Sequence, residues 1–411
     1  MTDYRRFLSP VGAQLTGSAI RRMGTVVARA TDVVSFAPGY PAAETFPWAE
    51  LREMAAAALS GEHPEALQYG PTRGDPRLIE TLLGVLADRG IRATPDEVMV
   101  TTGSQQGLDL IARVLVSPGD AVLVELPTYT GAIAAFQNAQ ARLAGVAQEA
   151  DGIDLHDLDA VWRRETEAGR RVTLVYLVPN FQNPTGQLLS LAKRATLVEW
   201  ARRRDVLIVE DDPYGALYFE DMASAADTTP MKTFDTDGRV LYLSSFSKTL
   251  APGFRVGWLV APAELMERFE TAKQSVDLTS GILDQRMACE AVRQGVVARL
   301  GPVLRACYRD KRDAMEDALR GALGDSVRWQ TPKGGFFLWA TLRHGVQDEA
   351  LLPHALEQGV VFVAGSAFHV DGAGHDTIRL SFSAPSPDRI REGATRLAAA
   401  FAAAREAQRA R

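Results

Sequence analysis

Residues Ser244–Trp258 read SSFSKTLAPGFRVGW. The apolar run leading into them, Val240–Ser244, predicts a strand that delivers Ser245, Ser247 and Lys248 to a loop at its carboxyl end. In open α/β sheets that is where ligands bind. Arg255 follows seven residues after Lys248. Two hydroxyls, an ammonium and a guanidinium in one loop suit a phosphate held beside an amine, because a guanidinium fork can hold two phosphate oxygens at once. Taken alone, a lysine in a serine-rich turn reads equally well as a solvated surface charge. What decides between the two readings is whether other strand ends carry matching groups.

Outward from this segment, apolar runs recur at Val98–Thr101, Ala121–Glu125, Val172–Leu177, Val206–Glu210 and Val256–Val260. Helical spacing lies between several of them, as in Leu108, Ile111, Ala112 and Leu115, and again in Leu191, Ala195, Val198 and Ala201. Continuous apolar runs alternating with helices predict an α/β fold with a mostly parallel central sheet and helices on both faces. After about residue 300 the pattern changes. A long charged helix is expected over Val303–Arg320, then strands at Gly335–Thr341, Val360–Val363 and Thr377–Ser383. The expected division is an arm over residues 1–45 packing with the small domain, a large domain over 46–300 and a small α+β domain over 301–411. The Ala-rich stretch Leu397–Ala403 reads as an amphipathic helix.

Three further strand ends carry polar groups. Val206–Tyr214, VLIVEDDPY, runs a buried-looking strand into two acids and a Pro-Tyr turn. An acid there is a structural cap, a metal ligand or a charge partner for a cofactor, and no His/Cys/Asp cluster accompanies it to favour the metal. Asn180–Gly186, NFQNPTG, follows the strand Val172–Leu177 and by itself reads as a turn. Thr101–Gln106, TTGSQQ, stands between a strand and a helix beginning near Gln105. Free N–H groups at that helix start make an anion site, and a Ser N-cap is the compatible plainer reading. No Walker pattern and no G-x-G-x-x-G opens a helix after a strand, so ATP and dinucleotides are not expected.

Composition narrows the field. The 411-residue chain is 46% hydrophobic and 23% charged, the balance of a globular protein rather than a disordered one. Its net charge of −6 argues against coating nucleic acid or an anionic membrane. The first ten residues, MTDYRRFLSP, lack the apolar core of a secretory signal, and no run approaches the roughly 18 apolar residues of a membrane span. Two cysteines, Cys289 and Cys307, make no disulfide framework and fit two free thiols in a reducing cytoplasm.

Together the four strand ends describe a site for a phosphorylated cofactor with an aldehyde and a basic ring nitrogen. The chain here resembles a fold-type I, pyridoxal-phosphate-dependent aminotransferase of class I/II, close to the 2-aminoadipate and kynurenine aminotransferase group. The S-x-S-K…R segment, D-x-x-Y and N-P-T-G carry the resemblance, which is collinear from about Ser18 to Ser383. It implies pyridoxal 5'-phosphate as cofactor. Lys248 would be the covalent anchor of its aldehyde and the proton shuttle to the substrate Cα. Asp211, three before Tyr214, would pair with the ring nitrogen in preference to Asp212. Tyr214 and Asn183 would bond its phenolic oxygen, and Tyr129 would lie against its ring. Gly103, Ser104, Gln105, Ser245 and Arg255 would hold the phosphate, with Tyr69 lent to the partner's phosphate in a homodimer with shared sites. Arg379, in TIRLSFS, and Gly39, in FAPGYP, would meet the substrate α-carboxylate, alongside Asn183.

Substrate choice rests on less. Arg21, in SAIRRM, falls where this group places an arginine for a distal carboxylate, although adjacent Arg22 points about 100° away on a helix and competes for the role. Tyr40 stands where a smaller aliphatic residue is expected in that group, and a ring there would either narrow the pocket or favour aromatic and branched substrates. The expected reaction moves an amino group from an L-amino acid to a 2-oxo acid such as 2-oxoglutarate by a ping-pong cycle, in the cytoplasm. The alternative is a lyase, decarboxylase or synthase with the same cofactor site. Transcription factors of this fold carry a winged-helix domain first; the resemblance begins near residue 18, so that role is not expected.

Overall fold

Strands buried on both faces need apolar side chains in both directions, and the central runs supply them. The computed structural model describes residues 2–14, 32–59 and 64–410. Among these, eight strands form the large sheet in the spatial order Val98–Thr102, Val256–Val260, Val240–Ser245, Leu207–Asp211, Val172–Leu177, Ala121–Leu126, Arg142–Glu149 and Gly152–Ile153. The five neighbours from Val240–Ser245 to Arg142–Glu149 run parallel, while Val256–Val260 is antiparallel to both strands beside it. Alternation along the strands sends apolar side chains to both faces of the sheet. Leu123, Val175, Leu177, Ile208 and Val240 pack with Leu158, Leu197 and Trp200. Val122, Val124, Leu174, Val209, Leu241 and Leu243 pack on the other face with Leu108, Ile111 and Phe136.

A second, antiparallel sheet has the order Val327–Trp329, Phe337–Leu342, Thr377–Ser381, Val363–Ala364. It is backed by the helices Val296–Leu323 and Pro387–Arg409, the second burying Ile390, Ala394, Leu397, Phe401 and Ala404 at helical spacing. The chain near the N-terminus returns to this half: Val34–Ser35 pairs in parallel with Val360–Val361, and the Ser381 N–H donates to the Phe36 carbonyl at 2.8 Å.

Among the differences from the sequence expectation, three bear on the architecture. The long helix begins at Val296 and runs through Pro302 instead of starting after it. The run Val360–Val363 splits between two sheets, Val360–Val361 serving one and Val363–Ala364 the other. The strand Arg142–Glu149 has no counterpart in the reading, because its Ala, Gly and Gln residues have weak strand preference and it earns its place by pairing with Ala121–Leu126.

The strand Val256–Val260 packs closely on the turn that follows Val98–Thr102. A Cβ on Gly257 would lie 2.8 Å from both the Gly103 carbonyl carbon and the Ser104 nitrogen, backbone atoms that cannot swing aside. Gly257→Ala should therefore lower stability by about 1–3 kcal/mol, the usual cost of overpacking, measured by denaturant unfolding; an unchanged midpoint would show that this approach is not tight.

Candidate active site

Five loops converge at the carboxyl ends of the parallel strands. Lys248 follows the strand Val240–Ser245 and is half-buried; its Nζ donates to the Gly39 carbonyl at 2.8 Å. It lies 5.5 Å from the centroid of the Phe336 ring and 5.9 Å from that of Tyr214. Burial, with the positive charges of Arg379 and Arg255, lowers its pKa from 10.5 to about 8. An amine in that range is neutral often enough near physiological pH to act as nucleophile and proton acceptor.

The two adjacent acids have opposite fates. Asp212 is consumed by structure: its Oδ1 accepts from Asn180 Nδ2 (2.8 Å) and the Gly215 N–H (2.9 Å), and its Oδ2 from Arg89 Nη2 and the Tyr242 hydroxyl, both at 3.1 Å. Asp211 is equally buried, yet its Oδ2 accepts only the Tyr176 hydroxyl, at 2.9 Å, and its Oδ1 has no partner among the described residues. Burial pushes its pKa from 3.8 to about 7. A buried carboxylate oxygen without a donor suits a protonated ring nitrogen, which would supply both the proton and the countercharge. Tyr214, 4% exposed, packs edge-on against Phe336 and Phe337, and burial raises its phenol above the usual range.

An anion cradle lies beside the lysine. Gly103 precedes the helix Ser104–Leu115 with φ 74°, and no side chain caps the helix start. The plainer expectation of a Ser N-cap is thus corrected: Gly103 occupies the cap, and Ser104 is the first helical residue. Arg255 folds over Gly103 so closely that a Cβ there would meet its Nη2 at 2.3 Å. The guanidinium donates to the carbonyls of Thr102 (3.3 Å) and Pro252 (3.4 Å), and among the described residues it pairs with no carboxylate. Ser245, 4% exposed, donates to Ser247 Oγ at 2.7 Å and accepts the Ser247 N–H at 2.9 Å. An unpaired guanidinium over an uncapped helix N-terminus favours a dianion.

Arg379 is a second cation without a carboxylate among the described residues. It is 1% exposed; its Nη1 donates to Asn183 Oδ1 at 2.8 Å, its Nη2 to the Ala37 carbonyl, and its Nε has no partner. The Phe337 and Phe368 rings lie 4.3 and 5.0 Å from its carbon, and burial lowers its pKa to about 10. Gly39 fits against the same ring, since a Cβ there would meet Phe337 Cζ at 2.5 Å.

The structure thus gathers Lys248, Asp211, Tyr214, Gly39, Asn183, Arg379, Gly103, Ser104, Ser245 and Arg255 about the ends of the two sheets. Gln105 and Tyr129 join at the rim, the Tyr129 hydroxyl donating to Gln105 Oε1 at 3.4 Å. Tyr69 stands apart: it is 80% exposed and lines a surface cavity of about 780 Å³ with Met54, Arg77, Ile282 and Cys289. Arg21 lies outside the described residues. The sequence reading missed Tyr176, Phe336 and Phe337. A phenol inside the apolar run VTLVYL was the available signal for Tyr176; the other two become visible only when the two sheets meet. Among the described residues no helix is long and apolar enough to cross a membrane, and no group of His, Cys, Asp and Glu could hold a metal ion.

Comparison with known proteins gives the geometry a context. The model of the family aminotransferase class I and II matches residues 31–397. Aromatic-amino-acid aminotransferase 1 of Thermococcus litoralis is 38% identical, over 96% of this chain and 94% of its own. The 2-aminoadipate transaminase of Thermus thermophilus is 39% identical, over 94% of each. The crystal structure of Pyrococcus horikoshii kynurenine aminotransferase in complex with PMP superposes with a TM-score of 0.91 at 37% identity, covering 98% of both chains.

The contrast between the two acids is testable without any ligand. Asp212→Ala strands the Arg89 guanidinium and should cost about 3–5 kcal/mol, as breaking buried ion pairs does. Asp211→Asn should cost far less and change the pH dependence instead. Because Asp211 holds its proton more tightly folded (about 7) than unfolded (3.8), its contribution is complete below the lower value and lost as pH rises through the higher one. Ligand-free Asp211→Asn should therefore gain stability relative to the parent between these values; parallel curves in a pH series of thermal melts would contradict the burial argument.

Proposed function

The chain belongs to the class I and II aminotransferases, and from that premise we propose that it works with pyridoxal 5'-phosphate in the cleft between its two sheets. It is a transaminase of the fold-type I architecture, a mostly parallel sheet with helices on both faces. The observation that carries the cofactor reading is the buried Oδ1 of Asp211, which has no partner among the described residues and which a pyridinium N–H would satisfy. Gly103, Ser104, Gln105, Ser245 and Arg255 would hold the phosphate, Tyr214 and Asn183 the phenolic oxygen, and Tyr129 the ring face. When bound, the cofactor supplies an electron sink for the bonds at the amino acid's Cα.

The chain's own residues do the rest. Lys248 Nζ, the amine nearest the proposed cofactor site, would take the proton from the amino acid's Cα and hold it for return; positioned proton transfer of this kind contributes about 10²–10⁴ in rate. Arg379 binds the α-carboxylate with its fork, Gly39 and Asn183 lying beside it. The Phe337 and Phe368 rings keep water from that pair, which strengthens it. The donor we propose is an aromatic, branched or 2-aminoadipate-like L-amino acid and the acceptor a 2-oxo acid such as 2-oxoglutarate, in a ping-pong cycle. Support comes from the aromatic and 2-aminoadipate activities named for the relatives. Arg21 is the proposed partner of a distal carboxylate. We further propose a cytoplasmic homodimer in which Tyr69 serves the partner's phosphate, supported by the 80% and 77% exposure of Tyr69 and Leu67.

The test is a spectral titration of the cofactor-loaded protein with single amino acids and no 2-oxo acid present. Half-transamination converts the cofactor's visible band and releases one equivalent of 2-oxo acid; a persistent band with another product would overturn it. Lys248→Ala should abolish turnover. Arg379→Lys, which keeps the charge and loses the fork, should raise KM at least about tenfold, the worth of one charge-assisted hydrogen bond. Loss of dicarboxylate preference in Arg21→Ala would support the distal-carboxylate role.

A further inference from the structure

A polar cluster outside the proposed catalytic groups, with Lys273 and Ser280 buried and Thr102, Gln106 and Asp277 half-buried, grips the anion cradle from behind. Its centre is Lys273, 0% exposed at the end of the helix Ala263–Gln274. Its Nζ donates to Asp277 Oδ1 (2.7 Å), Gln106 Oε1 (2.8 Å) and Ser280 Oγ (3.1 Å). Asp277 Oδ2 accepts from Gln106 Nε2 at 2.6 Å and from the Thr102 hydroxyl at 2.7 Å. Thr102 Oγ1 also lies 2.9 Å from Ser280 Oγ, and the Thr102 N–H donates to Gln106 Oε1 at 2.8 Å. The loop that brings Asp277 back is held by the Lys273 carbonyl, which accepts the N–H groups of Val276, Asp277 and Leu278, the last at φ 62°.

The two cradle-side residues in this cluster are Thr102 and Gln106, and they stand immediately before and after Gly103–Gln105. The cluster therefore pins the cradle at both ends, and the Thr102 carbonyl is also the acceptor for Arg255. A carboxylate so near an anion site would oppose it; the Lys273 ammonium, 2.7 Å from Asp277, cancels that charge locally. Taking the Lys273 ammonium out of water, beside a carboxylate that stays 26% exposed, carries a desolvation cost that apolar side chains would avoid, so the pair is a poor route to stability alone.

We propose that Lys273, Asp277 and Ser280 are positioning residues that set Thr102 and Gln106, and through them the geometry in which the cradle and Arg255 receive the cofactor's phosphate. This rests on the cofactor reading above. The cluster acts through the cradle and does not itself touch phosphate.

The experiment compares dissociation constants for pyridoxal 5'-phosphate and for pyridoxal, which lacks the phosphate, in the parent, Thr102→Val, Thr102→Ser and Asp277→Asn proteins. The ligand-free melting temperature of each is recorded as well. Thr102→Val deletes only the hydroxyl's bonds to Asp277 and Ser280. It should weaken the phosphate ester about tenfold or more while leaving pyridoxal within about twofold, the scale expected when a charge-assisted hydrogen bond is lost. Thr102→Ser should restore affinity, and Asp277→Asn should follow Thr102→Val. A fall in melting temperature with both ligands weakened equally, or with neither weakened, would show a purely structural cluster and overturn the proposal. A parent protein that does not prefer the phosphorylated ligand would instead overturn the cofactor reading.

Discussion

Asp212 is the residue on which the site's geometry hangs. Its four donors come from four different places: Arg89 at the end of the helix Pro76–Asp88, Asn180 in the loop after Val172–Leu177, Gly215 in the turn beyond, and Tyr242 on the neighbouring strand. One carboxylate thereby fixes the mutual position of the loops bearing Asn183 and Tyr214. The same pairing explains why Asp211 can remain short of donors. The backbone of 211–212 is anchored by its second acid, so the first need not contribute to holding the chain and is available for chemistry.

The site is then assembled from charges that burial leaves incomplete. Among the described residues, one oxygen of Asp211 lacks a donor, Arg379 lacks a carboxylate, and Lys248 is held by a carbonyl instead of an acid. Each is expensive in isolation, and each shift in proton affinity, up for Asp211 and down for Lys248 and Arg379, is the mark of that cost. Under the proposed function, such a constellation would be stabilised by a ligand that supplies a protonated ring nitrogen, a carboxylate and an aldehyde. Binding and chemistry are thus prepared by the same unmet demands.

Much of this was legible in the chain itself, because strand-end motifs report local chemistry. VLIVEDDPY shows a strand breaking into acids, and SSFSKTLAPGFRVGW shows a lysine and arginine flanking a turn, whatever the rest of the molecule does. What stayed hidden depends on partners far apart in sequence. Nothing near Asp277 announces Thr102, and nothing in GGFF announces that Phe337 will cover Arg379. The strand Arg142–Glu149 was hidden for the opposite reason: its own residues argue weakly for any structure, and only the template of Ala121–Leu126 makes it a strand. The choice between Asp211 and Asp212 came from resemblance; the hydrogen bonds supply its physical basis.

The chain between Val34 and Gly39 joins the two halves of the molecule. Its backbone is paired with Val360–Val361 and with Ser381, its Ala37 carbonyl accepts from Arg379, and its Gly39 carbonyl accepts from Lys248. A free loop would have to surrender its conformational entropy each time a substrate arrived, at about 1–2 kcal/mol for each residue fixed. Here that entropy is surrendered once, during folding. Recognition of a small, flexible amino acid then draws on a rigid wall, and selectivity at this edge of the cleft is a matter of fit rather than of ordering.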